Sequence, residues 1–267
     1  MKRTHFSVVA MVVIAVVLCG AAPALAQIPL GTAQNFAVLG GSTVTNTGPS
    51  AITGNLGVSP GSAVTGFPPG TVTGGSIHAA DAVAAQAQSD LTTAYNTAAG
   101  TPCGVDLTGQ DLGGLVLTPG VYCFTSSAAM TGTLTLNFQG NPNAAFLFKI
   151  GSTLTTASAS SVVLINNAGA TCPPNVNWQV GSSATLGTGS TFIGNVLALT
   201  SITLTTGANL TGRALARNGA VTLDTNNVSI GACAAVAPVP AFGPAGLMML
   251  MALLAGVGVF AIKRLTS

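Results

Sequence analysis

The sequence predicts a β-solenoid with one α-helix laid along its side, and three observations point there. Ala184-Thr185-Leu186-Gly187-Thr188-Gly189-Ser190-Thr191-Phe192-Ile193-Gly194-Asn195 recurs eighteen residues later as Ile202-Thr203-Leu204-Thr205-Thr206-Gly207-Ala208-Asn209-Leu210-Thr211-Gly212-Arg213. A short fixed period rich in Gly, Thr and β-branched residues marks stacked coils. Short apolar–polar alternations broken by Gly, Pro and Asn fill most of the chain, as strands of a few residues with tight turns do. A single stretch, Ser76 to Ala99, changes period to three and four residues.

Taken in order, the chain begins with Met1-Lys2-Arg3, an apolar run from Val8 to Leu18, and Ala24-Leu25-Ala26 before Gln27. Residues 1–26 therefore read as a secretory signal peptide. Strand patterns follow at Phe36-Ala37-Val38-Leu39, Thr43-Val44-Thr45, Ile52, Leu56 and Val58. The helix is expected over residues 76–99, with Ile77, Ala80, Ala84, Ala87, Leu91, Ala94, Tyr95 and Ala98 as its buried stripe and Gly100 and Pro102 as its stop. From Val105 to Ile230 strand cores return, among them Leu115-Val116-Leu117, Leu134-Thr135-Leu136, Ala145-Phe146-Leu147-Phe148, Val162-Val163-Leu164-Ile165 and Ile202-Thr203-Leu204. The solenoid domain is thus assigned to residues 27–233. An Ala/Pro linker occupies 234–244, and an apolar run over 245–262 precedes a basic tail, 263–267. Eighteen helical residues rise ~27 Å, enough to span a bilayer with Lys263 and Arg264 on the cytoplasmic side. The tail resembles the sorting tails of Gram-negative exported proteins, so the expected fate is export, followed by envelope anchorage or release after processing.

Composition narrows the chemistry. The solenoid segment holds Asp81, Asp90, Asp106, Asp111 and Asp224 against Lys149, Arg213 and Arg217, and no Glu. No basic patch is available for nucleic acid and no acidic cluster for a divalent metal. Polysaccharide-cleaving solenoids need carboxylates placed together. Asp106 and Asp111 instead sit beside Gly or Thr in expected turns, and Asp81 and Asp90 fall on the helix, facing solvent. His78 has no Cys, Glu or second His near it in sequence. Trp178, Tyr122 and Tyr95 are expected in the core rather than as a sugar platform, Lys149 outward on its strand, and Arg213 and Arg217 paired with Asp224. No catalysis, cofactor, metal or small-molecule substrate is expected. Cys103, Cys123, Cys172 and Cys233 suit an oxidising compartment. Of three possible pairings, Cys103–Cys123 and Cys172–Cys233 each close a contiguous section.

Two threonine patterns remain. Thr133-Leu134-Thr135, Thr153-Leu154-Thr155 and Thr203-Leu204-Thr205 each send Leu inward and two Thr outward, ~6.6 Å apart, and Thr222-Leu223-Asp224 repeats the unit with its last position changed. Stacked, Thr133, Thr135, Thr153, Thr155, Thr203 and Thr205 would form a hydroxyl–methyl grid stiffened at χ1. The second pattern is Thr-Gly-x-(Thr/Asn), at Thr188–Thr191 and Thr206–Asn209. Looser copies start at Thr47 (through Ser50) and Thr156 (with Ser158), and Thr225 holds the same place in the final coil. Thr188 and Thr191 cannot both face outward on a straight strand, so Gly189 must turn the chain.

Leu30-Gly31-Thr32-Ala33-Gln34-Asn35-Phe36-Ala37-Val38-Leu39-Gly40, Gly54-Asn55-Leu56-Gly57-Val58-Ser59-Pro60 and Asp106-Leu107-Thr108-Gly109-Gln110-Asp111-Leu112-Gly113-Gly114 carry a family likeness. So do Pro119-Gly120-Val121-Tyr122, Gly151 to Ser158, and Trp178 to Thr188. Over residues 31–232 the chain resembles the microbial ice-binding proteins. The resemblance implies a discontinuous, right-handed β-helix of triangular section with a helix alongside. It also implies ice adsorption through one flat face of Thr-(Ala/Gly)-x-(Thr/Asn) segments, here Thr188, Thr191, Thr206 and Asn209, with Thr156, Ser158, Thr225, Thr47 and Ser50 as extensions. The expected partners are then an ice crystal surface and, through residues 245–262, a membrane. A passive coat or adhesion protein on the same solenoid is the alternative.

Overall fold

A computed structural model of the chain describes residues 27–167 and 175–231. The signal peptide, Cys172, Cys233, the linker, the apolar run at 245–262 and the basic tail all lie outside the described residues. Among the described residues no helix is long and apolar enough to cross a membrane.

The strands pair in parallel and stack in three sets. The first runs through Ala128–Met130, Leu154–Thr156, Ala184–Leu186, Ile202–Leu204, Val221–Asp224, Thr43–Thr47 and Ala63–Thr65. The second runs through Val116–Leu117, Thr133–Asn137, Ser161–Ile165, residues 191–193 and 209–211, Asn227–Ser229, Ala51–Thr53 and Thr71–Thr73. The third holds Val105–Asp106, Gly120–Phe124, Phe146–Ile150, Val176–Val180, residues 195–198 and 213–216, Phe36–Gly40, Asn55–Val58 and Ile77–Ala79. The eighteen-residue repeat is the coil itself, since Ala184 pairs with Ile202, Thr191 with Asn209 and Ala198 with Ala216.

In each set the stacking order departs from chain order. Coils built from residues 36–79 follow the last coil, so that Thr45 lies beside Thr222 and Val38 beside Ala214. The β-helix is therefore discontinuous, as the resemblance implied. The joint is clasped by polar side chains at the corner between the first two sets. Ser50 Oγ accepts from Asn226 N at 2.9 Å and donates to Asn46 Oδ1. The Asn226 amide donates to the carbonyls of Thr205 and Ala208.

Strands Thr191–Ala198 and Asn209–Ala216 cross from the second set to the third, and they bend at Gly194 and Gly212, which are register partners. Their φ angles are 119° and 146°. A Cβ on Gly212 would lie 2.0 Å from the Gly194 carbonyl oxygen, so glycine is required by space as well as by dihedral. At this corner Asn195 donates to Asn177 Oδ1 at 3.0 Å and accepts from Arg213 at 2.8 Å.

Inside, the alternation places Leu134, Leu154, Leu186, Phe192, Ile202, Leu210 and Val221 in one apolar column-work. Phe148 stacks on Trp178 at 3.9 Å and Trp178 meets Phe192 at 4.7 Å. Phe148 and Trp178 lie in longer coils, where the two partners are thirty positions apart, against eighteen for Trp178 and Val196. Trp178 and Tyr122 are core residues, as the sequence suggested.

Helix α1, Ala82–Gly100, buries Ala84, Ala87, Gln88, Leu91, Ala94, Tyr95 and Ala98 against the third set. Mostly Ala, this stripe lets the helix lie close to Leu39, Leu147, Leu197 and Leu215. The helix begins six residues later than its periodicity suggested. Ile77–Ala79 is drawn into a strand beside Asn55–Val58, Ala80 turns at φ 54°, and Asp81 caps by accepting from Ala84 N at 2.8 Å. Its end agrees: Thr101, extended before Pro102, is the C-cap. Cys103 and Cys123 are disulfide-bonded, fixing the segment after α1 to the third set.

Candidate functional site

The outward positions of the first set form a column. Thr155 pairs with Thr185, Thr185 with Thr203, Thr203 with Thr222, Thr222 with Thr45, and Thr45 with Thr65. Six threonines thus stand in register on neighbouring coils, at the ~4.8 Å spacing of paired strands. The residues flanking five of these Thr, such as Ile202 and Leu204, point inward and are buried, while Val64 and Gly66 beside Thr65 are half-buried. No protein group takes the hydroxyls of Thr155, Thr185, Thr203 or Thr65 among the described residues, so they face the medium. A parallel row, Ser127, Thr153, Ser183 and Ser201, borders the column, with Thr153 Oγ1 donating to Ser127 Oγ at 2.8 Å. The two carboxylates on this face are Asp224, at a strand end, and Asp111, which bridges Ala129 beyond the column.

The Thr-Gly-x-(Thr/Asn) segments do something other than lie flat. They turn the corner from the first set to the second. Gly189 and Gly207, at φ 64° and 71°, make that turn. The amides of Ala159, Gly189, Gly207 and Thr225 donate to the carbonyls of Thr188, Thr206, Asp224 and Thr47. That ladder puts Ser158, Thr188, Thr206, Asp224 and Thr47 in one corner column. The fourth motif positions, Thr191 and Asn209, fall on the second set, in a column with Thr133, Ser161 and Asn227. Asn209 and Asn227 bond each other at 2.9 Å, and the next column carries Thr135 with exposed Val116 and Val163.

Several expected site residues move. Ser50, 1% exposed, is the clasp described above. Thr156, 3% exposed, takes the inward place of Leu186, and its Oγ1 accepts from Gly187 N at 2.8 Å. The copy starting there is two residues out of phase, so Ser158 stands where Thr188 does. Thr225, at φ 55°, occupies the glycine's place rather than the threonine's. The Thr-Leu-Thr units also divide. Thr133 and Thr135 lie on the second set, while Thr155 and Thr203 share the first-set column and Thr153 and Thr205 flank it on opposite sides. Sequence reasoning missed Thr185, Thr45 and Thr65. The eighteen-residue repeat does align Thr185 with Thr203, but Thr45 and Thr65 join only through the discontinuous stacking.

The x position of the motif points inward. Ser190 is fully buried and its hydroxyl has no partner among the described residues, while Ala208 holds the same place one coil on. Ser190→Ala is expected to raise stability by about 1 kcal/mol, because it removes an unsatisfied buried hydroxyl. A fall in the urea midpoint would show that the hydroxyl is bonded.

This combination of a discontinuous parallel solenoid, one lateral helix and an unbroken threonine column accompanies a sequence match: the Ice-binding-like family profile covers residues 38–229. The chain belongs to the Ice-binding-like family. It is 62% identical over 201 residues to the ice-binding protein of Nostoc sp. (strain HG1), covering 75% of this chain and 73% of that one. The ice-binding protein of Flavobacterium frigoris (strain PS1) is 33% identical over 214 residues, covering 75% of each. Among solved structures, an ice-binding protein from an Antarctic biological consortium superposes with a TM-score of 0.74 at 49% identity, covering 78% of this chain and 93% of that one. The ice-binding protein of Antarctomyces psychrotrophicus gives 0.73 at 39% identity, covering 77% and 99%.

The charged groups of this Ice-binding-like domain serve its turns and joints. Among the described residues no three of His, Cys, Asp and Glu gather. Asp90 does not face solvent freely but accepts from both N and Oγ1 of Thr32 at 2.7 Å. His78 Nδ1 contacts Asp81 at 2.7 Å. Arg213 and Arg217 do not pair with Asp224. Arg213 donates to Gln34 O and Asn195, and burial lowers its pKa to about 10, while Arg217 lies over the Tyr95 ring at 4.8 Å. Lys149 reaches the Thr101 carbonyl instead of standing free on its strand. Gly57-Val58-Ser59-Pro60-Gly61 has the spacing of a nucleophile elbow, but Ser59 is 7% exposed and is followed by a strand, not a helix.

Hydrogen bonds hold four carboxyls below the ordinary 3.8. The Ala84 amide and then His78 lower Asp81; the Thr32 hydroxyl and amide lower Asp90; the Thr108 hydroxyl and amide lower Asp106. Burial raises Asp111, but donors from Thr131 and Gly113 outweigh it. Because these folded-state values are depressed, their stabilisation is present above pH 3.8 and lost as pH falls below it. Urea midpoints should hold steady from neutrality down to about pH 5 and drop on further acidification to about pH 2. A flat profile throughout would contradict the assigned bonds.

Proposed function

We propose that this chain is an exported, non-enzymatic protein that adsorbs to ice through the threonine column of the first strand set, with Thr188 and Thr206 extending the surface at the corner. The observation that carries this reading is the register: six threonines repeat on consecutive coils without a break. Ice is a rigid array of water, and one hydroxyl–water bond gains little over bulk water. Adhesion must therefore sum many weak contacts already in register. A χ1-restricted Thr on each coil supplies a methyl and a hydroxyl at fixed spacing with no ordering left to do. A charge would orient water against the lattice, and the column has none along its length. Named ice-binding proteins among the relatives support the same reading. Export through residues 1–26, and anchorage or release governed by residues 245–262, complete the proposal and place the activity outside the cytoplasm.

The test is a single ice crystal held in a solution of the purified protein during slow cooling. Faceting and arrested growth are expected. Round, unimpeded growth around folded protein would overturn the reading in favour of a passive coat or adhesion role.

A further inference from the structure

Asp224 is out of keeping with its surroundings. In the corner column it stands between Thr206 and Thr47, where the preceding coils carry Ser158, Thr188 and Thr206. It also ends the strand of Thr222, two residues from the centre of the threonine column. The coil is one residue shorter here. Thr203 and Asn209 are six positions apart, whereas their partners Thr222 and Asn227 are five apart. Asp224-Thr225-Asn226 therefore makes the turn that Thr206-Gly207-Ala208 makes one coil earlier.

The carboxylate does not hold that turn. Asn226 does: its Oδ1 accepts from Asp224 N at 2.6 Å, its amide donates to two carbonyls of the preceding coil, and its own N–H reaches Ser50 Oγ. Among the described residues the Asp224 carboxylate bonds only hydroxyls, those of Thr206 and Thr225. Its visible effect is on the surface. It draws the Thr206 hydroxyl toward the protein and sets a hydrated charge in a row otherwise made of Ser and Thr.

We propose that Asp224 is the residue that limits the potency of the adsorbing face, by dividing the corner column into Ser158–Thr188–Thr206 on one side and Thr47 on the other. This rests on the ice-adsorption reading. Asp224→Thr restores the residue type of the neighbouring coils, returns the Thr206 hydroxyl to the surface and makes the row continuous into the coils of residues 36–79. Asp224→Asn removes the charge while keeping an acceptor for Thr206.

The experiment measures, on the full chain, the freezing–melting gap at matched concentrations for the wild type, Asp224→Thr and Asp224→Asn, with thermal melts alongside. Asp224→Thr should widen the gap by about twofold or more, since each contact added to a rigid array acts as a tethered one. Asp224→Asn should give a smaller widening. Adding Thr203→Tyr should remove the gain. An unchanged or narrowed gap in both folded single variants overturns the proposal. If Asp224→Thr fails to fold, Asp224→Asn alone decides, and no widening there overturns it. A wild type with no gap at all overturns the ice reading and this proposal together, which separates that failure from a failure of Asp224 alone.

Discussion

Thr203→Tyr is expected to abolish ice-growth arrest and leave the fold intact. Thr203 stands mid-column, with Thr185 on one side and Thr222 on the other. Its Cβ points outward between buried Ile202 and Leu204, so the new ring meets no core atom and stability should change little. On the surface the effect is large. A phenol ring rising from the centre of the column lifts the coils on both sides off a flat lattice. Contacts that work as a set are then lost as a set, and arrest should fall by about an order of magnitude or more. Thr191→Tyr is the matched control, one turn away on the second set, and it should retain arrest. The reverse outcome, with Thr203→Tyr active and Thr191→Tyr inactive, would relocate the site to the second set.

The largest effect on stability belongs to Gly212→Val. The residue bends a strand across a corner at φ 146°, and any Cβ there collides with the Gly194 backbone. Strain at such a dihedral and overpacking each contribute roughly 1–3 kcal/mol, and here they act together, for about 3 kcal/mol or more. The corner also carries the Asn177–Asn195–Arg213 chain, so any backbone shift that relieves the clash disturbs an amide–amide bond and a charge-assisted one. Chemical denaturation reads the difference directly. A loss under about 1 kcal/mol would mean the strand passes the corner without needing glycine.

How much of this was legible beforehand varies with the range of the interaction. The coil was legible because its repeat is local: eighteen residues on, Thr185 becomes Thr203 and Gly194 becomes Gly212. The body of α1 was legible from its Ala stripe, but not its start, because Ile77 fits a helical spacing and a strand equally well and the strand partner, Leu56, is distant in sequence. The phase of the threonines was not legible. A motif match aligns Thr156 with Thr188, whereas the ladder aligns Ser158 with it, and only the hydrogen-bond register separates a residue facing out from its neighbour facing in. Ser50 looked like a broken copy of a surface motif. Its partner Asn226, 176 positions away, makes it a buried clasp. Charge alone pairs Arg213 and Arg217 with Asp224, whereas Gln34 O and the Tyr95 ring, both distant in sequence, are what the two meet.

The out-of-order stacking has a consequence in time. Synthesis runs from the N-terminus, so the coils of residues 36–79 leave the ribosome first, yet their partners at 209–224 are among the last described residues to be made. Until then those early strands offer bare edges, and edges of this kind recruit other chains. Helix α1, which follows directly at residue 82, can meet Phe36 and Leu39 at once, but Leu147, Leu197 and Leu215, the rest of the wall it covers, come later. The newborn chain must therefore be kept apart from its neighbours through nearly the whole of translation, and a chain stopped short of residue 209 would carry its sticky beginning permanently uncovered.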